Sequence, residues 1–106
     1  MTDARSIENL ALIGFMGTGK SSVGRLVADL LHFTYLDTDR VIEARASKSI
    51  SEIFEHEGEP AFRAYEHRIV EELAHRRKTV ISTGGGLPVN DENLASLKTH
   101  ALVVCL

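Results

Sequence analysis

Apolar positions along the chain fall into four compact runs separated by segments of helical period. The first run, Asn9 to Phe15 (NLALIGF), is nearly all apolar, the pattern of a parallel strand covered on both faces. Beyond the glycines that follow, Val23, Leu26, Val27 and Leu30 stand at i, i+3, i+4 and i+7, the apolar stripe by which a helix meets its core. A second strand is predicted at His32 to Leu36 (HFTYL). Residues 39–58 read as two short helices; Ser49 and Glu52 have capping-box spacing for the second, and Gly58 suits its C-terminal stop. Pro60 fits the first turn of a longer helix that carries Phe62, Tyr65, Ile69 and Leu73 along one face. Residues 78–83 (KTVIST) form a third strand running into Gly84, Gly85 and Gly86. A polar helix around 91–98 leads to a fourth strand, ALVVCL. Strands alternating with helices predict an α/β fold with a parallel sheet and crossover helices.

Composition narrows this picture only modestly. A chain of 106 residues, 43% hydrophobic and 25% charged, is one globular domain with an ordinary core. A net charge of −3 and no basic run beyond HRRK at 75–78 disfavour a nucleic-acid partner. The longest apolar stretch falls far short of the ~18 residues that span a bilayer, and the N-terminus lacks a basic segment followed by an apolar one. The expected location is therefore cytoplasmic, without membrane association. Cys105 is the lone cysteine, so no disulfide or cysteine-based zinc site forms within the chain, and its apolar neighbours predict a buried, inert thiol. None of the five histidines has a partner at metal-ligand spacing; His67 and His75 read as solvated. An apolar strand makes an unusual chain end, which predicts that a C-terminal portion of the domain is missing.

The chemistry begins at Gly14-Phe15-Met16-Gly17-Thr18-Gly19-Lys20-Ser21, a match to G-x-x-x-x-G-K-[ST] at every fixed position. It follows a predicted buried strand and opens a predicted helix, the setting in which backbone N–H groups and a helix N-terminus face an anion. Gly17 and Gly19 let the backbone close around phosphate oxygens. Lys20 is placed to reach the β- and γ-phosphates, and the Ser21 hydroxyl to coordinate Mg²⁺.

Three later features are chemically suggestive and individually ambiguous. Asp37 and Asp39 in YLDTDR lie past the second strand, where ligands of open α/β sheets gather. Two residues apart in an extended segment, they would point the same way, towards phosphates and metal; the alternative is an N-cap pair for the next helix. Arg63 and Glu66 in GEPAFRAYE share one side of a helix. They form either a guanidinium fork for an anionic substrate, steadied by the glutamate, or a plain surface ion pair. Gly84, Gly85 and Gly86 form either a main-chain contact for a ligand or a tight turn.

Taken in this order and at these separations, GFMGTGKSSVGR, YLDTD, GEPAFRAYE and STGGG resemble the shikimate kinases, small P-loop enzymes of the nucleoside-monophosphate-kinase-like class. The resemblance runs from Leu10 to Leu106. It implies a three-layer α/β/α P-loop fold, cut after the fourth strand, and transfer of the ATP γ-phosphoryl group to the 3-hydroxyl of shikimate. It implies that Gly17, Thr18, Gly19, Lys20, Ser21 and Ser22 cradle ATP, and that Asp39 binds the shikimate hydroxyls and accepts the proton. Asp37 would approach Mg²⁺ through water, with Ser21 as a direct ligand. Arg63 would hold the shikimate carboxylate, oriented by Glu66, and Gly85 would offer its main chain, flanked by Gly84 and Gly86. The family continues into a lid arginine, a second arginine for the substrate carboxylate, an adenine loop and a fifth strand, which this chain lacks. The resemblance thus implies weak turnover for these residues alone, a monomer for the full-length enzyme, and a fourth strand open to association at its edge. Rival readings are another small-metabolite kinase, such as a gluconate kinase, and a nucleotide-binding module without catalysis.

Overall fold

The structure is a computed structural model that describes residues 7–14, 20–84 and 86–106, apart from the side chain of Lys20. Its elements are β1 (Asn9–Ile13), α1 (Lys20–Leu31), β2 (Thr34–Asp37), α2 (Thr38–Ala46), α3 (Ile50–His56), α4 (Glu59–Leu73), β3 (Thr79–Ser82), a 3-10 turn at Leu87–Val89, α5 (Asp91–His100) and β4 (Ala101–Cys105). The strands pair in parallel in the order β2-β3-β1-β4. Alternation along the strands splits the core in two. Leu10, Leu12, Tyr35, Val80 and Val104 pack on the face covered by α1, around Ala28. Ala11, Leu36, Ile81 and Val103 face the other way, against Ile42, Ile53, Phe62, Ile69, Leu73 and Leu97. This is the three-layer arrangement, with β3 buried along its whole length.

Local chemistry sets the helix boundaries. The Ser49–Glu52 capping box forms in both directions, through Ser49 N–H to Glu52 Oε1 (2.9 Å) and Glu52 N–H to Ser49 Oγ (3.2 Å). Gly58, at φ 90°, follows α3 and opens α4, with Pro60 in the first turn. The second strand lies slightly later than predicted. His32 turns through the left-handed region (φ 58°) and the Phe33 N–H bonds back to the Ala28 carbonyl, so this stretch closes α1 before β2 begins.

Two expectations about burial are corrected. Most of the apolar stripe of α1 does not face the sheet: Leu26 and Leu30 are 59% and 70% exposed, Val27 packs on the core, and the buried positions beside it are Gly24 and Ala28. The cause is Tyr35. A Cβ on Gly24 would stand 2.7 Å from the Tyr35 ring, so only small residues let α1 lie this close to β2 and β3. Arg25, whose guanidinium lies over that ring, marks the β2 side of the helix. Val23 and Leu30 are exposed on the flank away from Arg25. Cys105 is likewise exposed rather than buried, because β4 is an edge strand with incomplete cover. Among the described residues, no helix is long and apolar enough to cross a membrane.

At the N-terminal ends of the strands, the buried Asn9 side chain joins four segments. Its Oδ1 accepts from the Thr79 N–H (3.1 Å), and its Nδ2 donates to the Arg76 carbonyl (2.9 Å) and to His100 Nδ1 (2.8 Å). Because Nδ2 only donates, His100 Nδ1 is the acceptor and the ring is neutral in this arrangement. Burial pushes the His100 pKa below its ordinary 6.5.

Gly24→Ala is expected to destabilise the fold by about 1–3 kcal/mol through overpacking on Tyr35, despite the ~1 kcal/mol helical advantage of alanine; Leu30→Gln should stay within about 0.5 kcal/mol. Urea unfolding midpoints measure both, and a stabilised Gly24→Ala would contradict the close approach. For His100, the unfolded chain binds the proton more readily than the native one. Stability should therefore fall as pH drops below 6.5 towards the lowered native pKa, and His100→Gln should flatten that fall.

Candidate active site

The C-terminal ends of β1, β2 and β3 bring Gly14, Asp37, Thr83 and Gly84 to one edge of the sheet. Asp37 ends β2 and is the N-cap of α2: its Oδ1 accepts from the N–H groups of Asp39 (3.0 Å) and Arg40 (3.4 Å). The chain turns helical at Thr38, so Asp37 and Asp39 do not share an extended segment, and the expectation of parallel carboxylates is corrected. The capping alternative holds for Asp37 alone. Asp39 instead lies against Gly84, where a Cβ would collide with its carboxylate. Thr38, fully buried between the two aspartates, accepts the Gly84 N–H on its Oγ1 (3.0 Å). The turn after β2 and the loop after β3 are thus joined by one hydrogen bond and one missing side chain.

Gly86 plays the corresponding part for Arg63, since a Cβ there would collide with Nη1. Gly85 lies outside the described residues. Arg63 Nη1 donates to Glu66 Oε1 at 2.7 Å. The pair is not a surface ion pair: α4 buries Phe62, Ile69 and Leu73 on its core face, and Glu66 is on that face at 2% exposure. Glu66 Oε2 has no hydrogen-bond donor among the described residues. Burial raises the Glu66 pKa above its ordinary value, Arg63 opposes that shift, and the charge of Asp39 adds to it. Arg63 is in turn held more firmly protonated, chiefly by its hydrogen bond to Glu66. Its guanidinium also opens on a cleft of about 330 Å³ lined by Glu59, Gly86, Val89 and Asn90. Glu59 Oε2 accepts from Nη2 at 3.2 Å. The sequence signal for Glu59 is its place four residues before Arg63 on the same helix.

Gly17, Thr18, Gly19 and the Lys20 side chain lie outside the described residues. What the structure gives of the phosphate loop is its two ends: Gly14 closes β1, and Ser21 and Ser22 stand exposed in the first turn of α1. Asp37 and Ser21 carry hard oxygen donors of the kind Mg²⁺ takes. Arg63 with Glu66, and Asp39 with Gly84, thus meet the same short loop after β3, from α4 and from α2.

Comparison with known proteins shows which family the chain resembles. The family model described as shikimate kinase matches residues 16–106. The shikimate kinase of Thermodesulfovibrio yellowstonii is 46% identical over 100 residues, which are 94% of this chain and 58% of that protein. The solved structure of shikimate kinase from Acinetobacter baumannii in complex with shikimate is similar at a TM-score of 0.90 and 41% identity, covering 96% of this chain and 57% of that one. A gluconokinase from Sinorhizobium meliloti shares the fold, at a TM-score of 0.56 and 19% identity over 96% of this chain and 58% of that one. The chain spans less than two thirds of the length of the relatives it matches.

The raised pKa of Glu66 has a defined sign for stability. A native carboxyl that holds its proton more tightly than the unfolded one favours folding at low pH, and this contribution is lost as pH rises from 4.5 through the raised native pKa. Glu66→Gln should remove that decline while keeping the fold, as urea midpoints measured across acidic to neutral pH would show. A decline of unchanged slope in the variant would assign it to other groups.

Proposed function

The chain belongs to the shikimate kinase family, and on that premise we propose that the protein transfers the γ-phosphoryl group of ATP to the 3-hydroxyl of shikimate. The observation that supports this reading best is Arg63, fixed by a buried glutamate and lining an open cleft beside Gly86, with Asp39 against Gly84 in the same loop. A guanidinium of this kind suits a substrate carboxylate, and the Asp39 carboxylate suits ring hydroxyls. In the proposed reaction Asp39 accepts the proton of the 3-hydroxyl as its oxygen bonds to the γ-phosphorus. The bond from that phosphorus to the β,γ-bridging oxygen breaks, and ADP leaves. The main chain of Gly85, between Gly84 and Gly86, contacts the substrate. Gly17 to Ser22 surround the phosphates, and Lys20 offsets the charge on their β- and γ-oxygens. Ser21, and Asp37 through water, would hold Mg²⁺, which would supply further neutralisation of phosphate charge when bound. Little covalent chemistry falls to the protein in such a transfer; its contribution is alignment and charge.

A gluconate kinase reading has no comparable support, because that likeness extends to the fold alone. The test reads binding rather than turnover. Calorimetric titration of shikimate in the presence of ADP and Mg²⁺ should show affinity lost by about tenfold or more in Arg63→Ala, the size expected for a charge-assisted hydrogen bond. An alanine variant that bound shikimate as tightly as the parent protein would place the carboxylate elsewhere.

A further inference from the structure

Arg63 already serves two carboxylates before any ligand arrives, and they differ in kind. Glu66 is buried and bonded at 2.7 Å, so it cannot leave without exposing an unpaired charge to the core. Glu59 is bonded at 3.2 Å with 63% of its side chain exposed, in the first turn of α4, where water can replace Arg63 as its partner. Both Glu59 and Arg63 line the open cleft beside Gly86.

We propose that Glu59 is an internal competitor for the carboxylate of the substrate: it holds the Nη2 side of Arg63 in the empty site and must be displaced for the ligand to bind. This role rests on the reading of Arg63 as a carboxylate anchor. The physical basis is a count of charges around one guanidinium. Glu66 takes Nη1, Glu59 takes Nη2, and an incoming carboxylate would be the third anion on a single cation. Glu66 is fixed, so the exposed glutamate yields. An exposed i,i+4 ion pair is weak enough to be displaced, yet its charge remains in the cleft and opposes any anion that gains nothing beyond Arg63. Glu59 thus lowers affinity for carboxylates in general. It favours a ligand that also makes contacts away from Arg63, and it speeds release of a bound one. Glu59 is a specificity-determining residue here, with no part in the chemical step.

The sign of the expected effect is unusual for a site residue, since its removal should tighten binding. Glu59→Gln and Glu59→Ala should each bind shikimate about threefold more tightly than the parent by calorimetry, and the gain should shrink at high salt. Methyl shikimate, which lacks the carboxylate, should bind the parent and both variants alike. Equal or weaker shikimate binding by both folded variants would overturn the proposal, as would an equal gain for the methyl ester. Acetate separates this idea from the substrate assignment. Followed by NMR at the Gly86 amide, acetate should titrate at lower concentration in Glu59→Gln than in the parent whatever the natural substrate. If Arg63→Ala left shikimate binding unchanged while the acetate result held, the substrate reading would fail and the competition at Arg63 would stand. An unchanged acetate midpoint would sink the competition itself.

Discussion

The site depends on a buried carboxylate. Glu66 sits on the core face of α4 among Phe62, Ile69 and Leu73, with Arg63 as its hydrogen-bonded cation. Burying such a group disfavours its charge, and a hydrophobic residue of similar size would often serve stability as well or better. What the glutamate supplies is position. It fixes one nitrogen of a long, flexible side chain that would otherwise sample many rotamers at the surface, and it does so one helical turn from the core, where the backbone is rigid. Arg63 is thereby held against Gly86, with part of its guanidinium facing the cleft.

The glycines after β3 work by the volume they leave empty. At Gly84 that volume admits the Asp39 carboxylate, and at Gly86 it admits the Arg63 guanidinium. The hydrogen bond from the Gly84 N–H to buried Thr38 keeps the loop close enough for this to matter. Two chemically opposite side chains, delivered by α2 and α4, are thus brought to one short loop. The proposed acceptor site follows from that meeting, with the anion anchor and the proton acceptor set by different helices.

Much of this was legible in the sequence, because local rules and global fold agree. The alternation of strands and helices, the Ser49–Glu52 box, and the Gly58-Pro60 start of α4 are all decided within a few residues. The order of the site motifs was legible too. What failed depended on partners distant in sequence. The apolar stripe of α1 meets the core only at Val27, because Tyr35, eleven residues beyond Gly24, selects the small-residue face of the helix. Asp37 and Asp39 were taken to point together, but the helix starts one residue earlier than that required. Glu66 had the spacing of a surface pair, and only the packing of α4 reveals its burial. Cys105 was judged by its apolar neighbours, whereas its exposure comes from the place of β4 at the edge of the sheet.

The pairing of Glu66 with Arg63 can be tested apart from the contribution of either residue, by a double-mutant cycle on shikimate affinity using Arg63→Lys, Glu66→Gln and the double variant. If the glutamate acts by fixing the arginine, the two substitutions should couple by a factor of about ten or more, because the second removes little once the first has been made. Losses that simply multiply would contradict the claim that this buried pair organises the site.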